Sequence, residues 1–142
     1  MRMPADTPIT VETDLFEHRQ VKPHFINPCC FGEDFAAWLK ERVSEQLTSD
    51  FTFSPALQED YGWGFQVHHG KDRYWVAISY VGDGPQEPPP QWVISLSSGD
   101  NLIKRIFHKP DPGIEALLRE IIQSVIRSNP AIKVVPNPDY GA

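Results

Sequence analysis

The placement of proline constrains this chain most, because proline interrupts helices and the interior strands of sheets. The sequence has 14 prolines, about twice the usual share of roughly 5%. They collect in the first thirty residues, in the segment 85–90, at both ends of the segment 112–128 and near the C-terminus. The stretches 31–54 and 56–84 contain none, so regular helices and strands are expected there.

Two segments, 33–47 and 112–128, have apolar residues at the spacing of a helix that buries one side. Glu33 suits the positive N-terminal end of the first helix, and Asp111-Pro112 is typical of a helix start. We expect the second helix to supply much of the core. The two apolar stripes comprise Phe35, Trp38, Leu39, Val43 and Leu47 in the first segment, and Ile114, Leu117, Leu118, Ile121, Ile122, Val125 and Ile126 in the second.

Alternating apolar residues between the two helices predict an antiparallel meander. Its central hairpin has strands at 63–68 and 73–81, joined by a two-residue turn at Gly70-Lys71. Strands grouped between helices, without alternation of strand and helix, indicate an α+β fold. We expect an antiparallel meander sheet of about four or five strands with two helices packed on one face. The remaining predicted strands are 51–53, 92–97 and 102–108.

The length of 142 residues predicts a single α+β domain over 1–142, since domains usually have roughly 100–200 residues. Residues 1–30 are expected to form a loosely packed N-terminal arm, in which 9–16 is either an added edge strand or part of that arm. Residues 132–135 are predicted as a final edge strand, and 136–142 as a frayed tail.

The charge balance of the chain is acidic, and this excludes some partners. The sequence has 19 Asp and Glu against 13 Lys and Arg, which gives a net charge of −6. Such a surface repels phosphate backbones, so nucleic acid is not expected as a partner. The excess lies in residues 1–99, with 14 acidic and 7 basic residues, and it favours a basic protein as a partner.

Targeting and membrane segments are not predicted. The N-terminus lacks the apolar stretch of a signal peptide, and no apolar run approaches the roughly 18 residues that span a bilayer. Cys29 and Cys30 are adjacent, and neighbouring cysteines do not easily form an unstrained disulfide with each other. We therefore expect reduced thiols in a cytoplasmic protein without membrane contact.

The most distinctive segment is Glu59-Asp60-Tyr61-Gly62-Trp63-Gly64. In a functional interpretation, the two acidic residues contact a ligand or partner and the aromatic residues form flat walls, together with the tryptophans of the next two strands. In a structural interpretation, the glycines form a bend or bulge, the tryptophans fill the core and the acidic residues lie in water. The candidate contact residues are Glu59, Asp60, Tyr61, Trp63, Trp75 and Trp92.

Sequence motifs for catalysis, cofactor binding and metal binding are missing. Cys29 or Cys30 with His24 or His68 is the only Cys/His combination for a nucleophile, and no strand–turn–helix elbow surrounds either cysteine. The sequence has no P-loop and no glycine-rich dinucleotide motif. A zinc site in which His18 and His24 join the two cysteines lacks the usual CxxC-type spacing. No catalytic residue, cofactor or metal is therefore assigned.

The acidic-Tyr-Gly-Trp pattern in the hairpin 59–81 resembles a pattern in small bacterial α+β proteins, some of which look like immunity proteins that neutralise a paired toxin. This resemblance implies a non-enzymatic protein that acts through protein–protein binding, as an immunity-like or accessory protein. The alternative is a small-ligand-binding or catalytic domain with an aromatic-lined pocket. Both interpretations leave the oligomeric state open.

Overall fold

The computed structural model describes residues 8–18, 20, 22–24, 31–59, 62–81, 90–98 and 111–137. The predicted strand 102–108, residues 85–89 of the predicted loop, both cysteines and most of the tail 136–142 lie outside these residues. In chain order, the elements are β1 (Ile9–Glu12), α1 (Glu33–Ser44), β2 (Phe51–Phe53), β3 (Leu57–Glu59), β4 (Gly62–His69), β5 (Asp72–Val81), β6 (Gln91–Ser98), α2 (Pro112–Ser128) and β7 (Lys133–Val135).

The strands form one sheet in the order β2-β4-β5-β6-β1-β7, and β3 also pairs with β4. Every pairing is antiparallel, which confirms an α+β fold with an antiparallel sheet. The described residues contain seven strands instead of the predicted four or five. The prediction missed β3, whose three residues include only one apolar side chain, Leu57, and so show no alternation.

The central hairpin of the sheet agrees with the prediction. Gly70 has a φ of +60°, a left-handed conformation that glycine adopts without a steric penalty. The two-residue turn sets His69 opposite Asp72. Because this register fixes the whole hairpin, it also decides which side chains of β4 and β5 share a face.

β1 lies inside the sheet, which corrects the expectation of an edge strand or loose arm for this segment. It pairs with β6 on one side and with β7 on the other. The hydroxyl of Thr10 also donates a hydrogen bond to Asn137 Oδ1 at 2.6 Å. These partners lie far away along the chain, so no local pattern in the first thirty residues could place the strand. The predicted final strand is confirmed at the edge as β7.

Both helices begin where they were predicted. α1 ends at Ser44 rather than at Leu47, because the amides of Gln46 and Leu47 bond three residues back and tighten the chain after the helix. α2 covers the predicted range, but Leu117 is 39% exposed, so the buried stripe is narrower than the prediction. In the described part of the chain, neither helix is long and apolar enough to span a membrane.

The core lies between the helices and one face of the sheet, which we call the inner face. Alternate residues of β4, β5 and β6 meet the buried stripes of both helices in one cluster. Each fully buried large apolar side chain contributes about 1.5–3 kcal/mol, so this layer is the main source of stability. Its members include Phe35, Leu39 and Val43 of α1, Leu118, Ile122 and Ile126 of α2, and Phe65, Val67, Val76, Ile78, Ile94 and Leu96 of the strands.

Candidate functional site

The tryptophans of the predicted aromatic pocket lie on opposite faces of the sheet. Trp63 is opposite Ile78, whereas Trp75 is opposite Gln66. Successive side chains of a strand alternate between its two faces, so Trp63 and Trp75 cannot line the same pocket. Trp63 and Trp92 share the inner face and are 4% and 0% exposed. These two rings fill the core, as the structural interpretation expected.

Glu59 and Trp75 are the candidate residues that share the opposite, outer face. Glu59 is exposed at the end of β3 and pairs with Gly62, a position that alternates with the inner-face residue Trp63. Asp60 and Tyr61 lie outside the described residues. We call the outer surface around Trp75 the Trp75 face. It comprises Leu57, Glu59, Gln66, Trp75, Ala77, Ser79, Ser95 and Ser97.

The indole of Trp75 covers Gly64 on the neighbouring strand. A Cβ at Gly64 would lie 2.5 Å from Trp75 Cζ2 and 2.4 Å from the carbonyl oxygen of Val76. Only glycine leaves this space, and an aromatic side chain packed over a glycine of the next strand is a device that stabilises sheets. The second glycine of the Gly-Trp-Gly sequence is therefore explained by the position of Trp75.

On the β6 side of Trp75, the outer face carries small side chains. Ala77 follows it on the same strand, and Ser95 and Ser97 face the pair from β6. Leu57, opposite Gly64, is 38% exposed at the edge. Trp75 is therefore flanked by a low surface on its β6 side, which a partner can approach closely, and by the longer side chains of Gln66 and Arg73 on β4 and β5.

A second candidate site lies in the connection between β1 and α1, where the chain buries a histidine. His18 is 0% exposed, and its Nε2 lies 2.5 Å from Asp14 Oδ1, while the side chain of Asp14 is 47% exposed. The other ring nitrogen of His18, Nδ1, has no hydrogen-bond partner among the described residues. The amide of Glu17 donates to Asp34 Oδ2 at 2.8 Å and so fastens this connection to the first turn of α1.

The ring of Tyr80 lies beside His18 on the inner side of the molecule. The ring of Tyr80 lies nearly parallel to that of His18, with centroids 6.1 Å apart. Behind it, Phe31 and Trp92 contact Tyr80 at 5.3 and 5.0 Å between centroids. From the sequence, His18 was considered only as a zinc ligand. Its four-residue spacing from Asp14 predicts no contact outside a helix, and this connection is not helical.

The structure gives no support to a metal centre in the residues that it describes. His24 is exposed and its Nε2 lies 2.6 Å from Glu33 Oε2, at the start of α1. The described residues contain no group of three or more His, Cys, Asp or Glu side chains arranged to hold a metal ion.

Comparison of the chain with protein-family models, with curated proteins and with solved structures finds no match. The function is therefore inferred from the arrangement of the chain's own residues.

A third candidate site is a cluster of polar side chains that joins the central hairpin to α2. The carboxylate of Asp72, which is buried, accepts a hydrogen bond from the amide of Asp111 at 3.3 Å. The hydroxyl of Tyr74 lies 3.2 Å from the carbonyl oxygen of Asp111. Burial raises the pKa of Tyr74 above its usual value, and the carboxylates of Asp72, Asp111 and Glu115 raise it further. Asp72 and Tyr74 both contact the backbone of Asp111 and so hold the start of α2 against the hairpin; we therefore assign the cluster a structural role.

Proposed function

We propose that the protein acts by binding another protein through the Trp75 face, and that this partner is basic. The observation that supports the proposal is the position of Trp75. It is half-buried on the outer face and stands outside the core cluster that both helices join. Tryptophan is enriched among the residues that dominate the binding energy of protein interfaces, because it offers a large apolar area at low entropic cost.

The shape of the Trp75 face supports a protein partner over a small molecule. Ala77, Ser95 and Ser97 leave the face low on one side of Trp75, so that a partner can contact the indole there. Leu57 adds an exposed apolar group on the same side, and Glu59 lies two residues further along that strand. An apolar centre with a charged edge is the usual arrangement of a protein interface.

The net charge of −6 supports a basic partner. Opposite net charges raise the rate at which two proteins meet. Glu12 and Glu59 both lie on the outer side, on strands that flank the central strands β4–β6 on either side. We expect them to act at the edge of the interface, where charges direct encounter more than they add affinity.

The resemblance of the hairpin 59–81 to immunity-like proteins suggests the kind of partner, a toxin that this protein neutralises. Co-expression tests this role: the native chain restores growth of cells that produce the toxin, and Trp75→Ser does not. Equal protection by both forms, at equal protein levels, would contradict a role for the Trp75 face.

Two exposed leucines provide a matched test of the binding surface. Leu57 on the Trp75 face and Leu117 on α2 are 38% and 39% exposed. With the native chain as bait, in cells that produce it naturally, we expect a basic partner to be recovered. Trp75→Ser and Leu57→Ser should weaken its binding about tenfold or more, since interface hot spots contribute about 2 kcal/mol or more.

Leu117→Ser is the control for this test, because it removes an equally exposed leucine from the other side of the molecule. It should bind the partner as the native chain does. Binding that is indifferent to Trp75 and Leu57, or that falls equally with Leu117→Ser, would show that the interface lies elsewhere. Thermal unfolding of each variant separates lost binding from lost folding.

Salt dependence tests the charge of the partner. The Debye length falls from about 14 Å at 50 mM salt to about 4 Å at 500 mM, so added NaCl should slow association with a basic partner and leave dissociation nearly unchanged. Stopped-flow or surface-based kinetics with the purified pair measures both rates. An association rate that does not depend on salt would contradict charge steering. The comparison of Leu57→Ser with Leu117→Ser would still test whether the Trp75 face is the binding surface.

A further inference from the structure

An arginine lies next to the Trp75 face on the same outer side of the sheet. Arg73 precedes Trp75 by two residues on β5, so both side chains leave the same face of the strand, about 7 Å apart. Across the strands, Arg73 is opposite His68. Arg73 is half-buried, and a guanidinium that gives up part of its water usually gains a carboxylate in exchange.

No acidic side chain pairs with Arg73 in the part of the chain that the structure describes. The second long polar pair on this side is occupied with itself, since His68 Nε2 lies 3.1 Å from Gln66 Oε1. The guanidinium of Arg73 is therefore available to a carboxylate from another molecule. The ion pairs between described residues use other basic side chains, namely His18, Lys22, His24, Arg42 and His69.

The charges on the outer side follow an order along the strands. Arg73 lies near the turn of the central hairpin, whereas Glu59 pairs with Gly62 at the other end of β4. Trp75 and Leu57 lie between these two charges. Complementary charges across an interface set the orientation of the partner. A partner on this surface thus meets a positive end, an apolar centre and a negative end.

We propose that Arg73 binds a carboxylate of the protein segment that covers Trp75, an inference that rests on the proposed function. Arginine and tryptophan are both enriched among the residues that dominate interface energies. A guanidinium binds a carboxylate through two parallel hydrogen bonds, which lysine cannot form. The segment therefore carries Asp or Glu close to its apolar contact with Trp75. The partner remains basic as a whole, because this carboxylate is local and the basic groups face Glu59.

Random peptides displayed on phage test this recognition without a known partner, with the native chain as bait. The informative peptides are those that the native chain and Leu117→Ser retain and that Trp75→Ser and Leu57→Ser do not. We expect them to share an Asp or Glu two to four positions from an aromatic or aliphatic residue, because that spacing places both on one face of a strand or helix. A synthetic peptide from this set should bind Arg73→Gln about tenfold more weakly than the native chain, the effect of losing hydrogen bonds to a charged group.

Two further variants separate the contact from net charge. Arg73→Lys keeps the charge without the paired hydrogen bonds, so it should restore only part of the affinity. Lys71→Gln removes the same charge from an exposed position in the adjacent turn and should bind as the native chain does.

The outcomes distinguish this inference from the proposed function. Trp75-dependent peptides without an acidic residue, equal binding to Arg73→Gln and the native chain, or an equal loss with Lys71→Gln would overturn the role of Arg73 and leave the Trp75 face standing. Selection of no Trp75-dependent peptide would overturn both. The composition of the selected peptides decides even where Arg73→Gln fails to fold, and thermal unfolding shows whether each variant is folded.

Discussion

At the scale of single residues, the structure explains a glycine that the sequence presents only as part of a motif. Gly64 is needed because Trp75 and the backbone of β5 occupy the space of a Cβ, at 2.5 and 2.4 Å. Gly64→Ala should lower the free energy of unfolding by about 1–3 kcal/mol, the usual cost of forcing extra atoms into a packed site. Urea denaturation followed by tryptophan fluorescence measures this change.

Gly70→Asn is the control for that prediction. No atom lies within 4 Å of a Cβ at Gly70, and asparagine tolerates the left-handed backbone that this turn requires. We expect a change of less than about 1 kcal/mol, because only the small cost of that conformation remains. If Gly64→Ala is as mild as Gly70→Asn, the close approach of Trp75 does not constrain the sheet.

At the scale of elements, the start of α2 depends on one side chain. Asp111 Oδ1 accepts a hydrogen bond from the amide of Gly113 at 2.8 Å, which satisfies one of the free amides in the first turn. Asp111→Ala should cost about 1 kcal/mol of stability, within the range of roughly 0.5–2 kcal/mol for lost N-caps. The shift of the urea midpoint, at unchanged slope, measures it.

Asp111→Asn separates capping from charge in this prediction. The amide oxygen of asparagine accepts the same hydrogen bond, so this variant should retain most of the stability that Asp111→Ala loses. A loss of equal size in both variants would mean that the carboxylate acts through its charge on the helix dipole instead. The hydrogen bond from the backbone amide of Asp111 to the Asp72 carboxylate does not use the Asp111 side chain, so all three proteins should retain it.

At the scale of the whole molecule, the sequence predicted what local patterns determine. α2 and the β4–β5 hairpin follow from spacing over many residues, and both were found at the predicted positions. The interior position of β1 depends on bonds such as Gln91 to Glu12, 79 residues apart, which no local pattern contains.

The placement of Trp63 and Trp75 on different faces could have been predicted from the sequence. The two-residue turn sets Trp63 opposite Ile78, and counting along β5 from Ile78 puts Trp75 on the other face. The Asp14–His18 pair needed the folded connection, because burial alone distinguishes His18 from an exposed histidine.

The stability of the whole molecule should depend on alkaline pH through Tyr74. Its pKa is raised in the folded protein, first by burial and then by the carboxylates of Asp72, Asp111 and Glu115, whereas the unfolded chain gives up this proton near the usual pKa of about 10. The stability that protonated Tyr74 contributes is therefore fully present below about pH 10. It is lost as the pH rises further, so that the free energy of unfolding is about 1 kcal/mol lower at pH 11. Urea denaturation between pH 8 and 11 should show this decline.

Tyr74→Phe isolates that effect from the other groups that titrate in the same range. The variant loses the contact between the hydroxyl and the carbonyl oxygen of Asp111, so it should be less stable than the native chain at pH 8. Its stability should then fall less steeply above pH 10, because the group that the folded state holds protonated is gone. Lysines and the remaining tyrosines titrate in both proteins and cancel in the difference. Parallel declines would show that Tyr74 ionises as easily in the folded protein as in the unfolded chain, and that the Asp72 cluster holds α2 without linking the fold to pH.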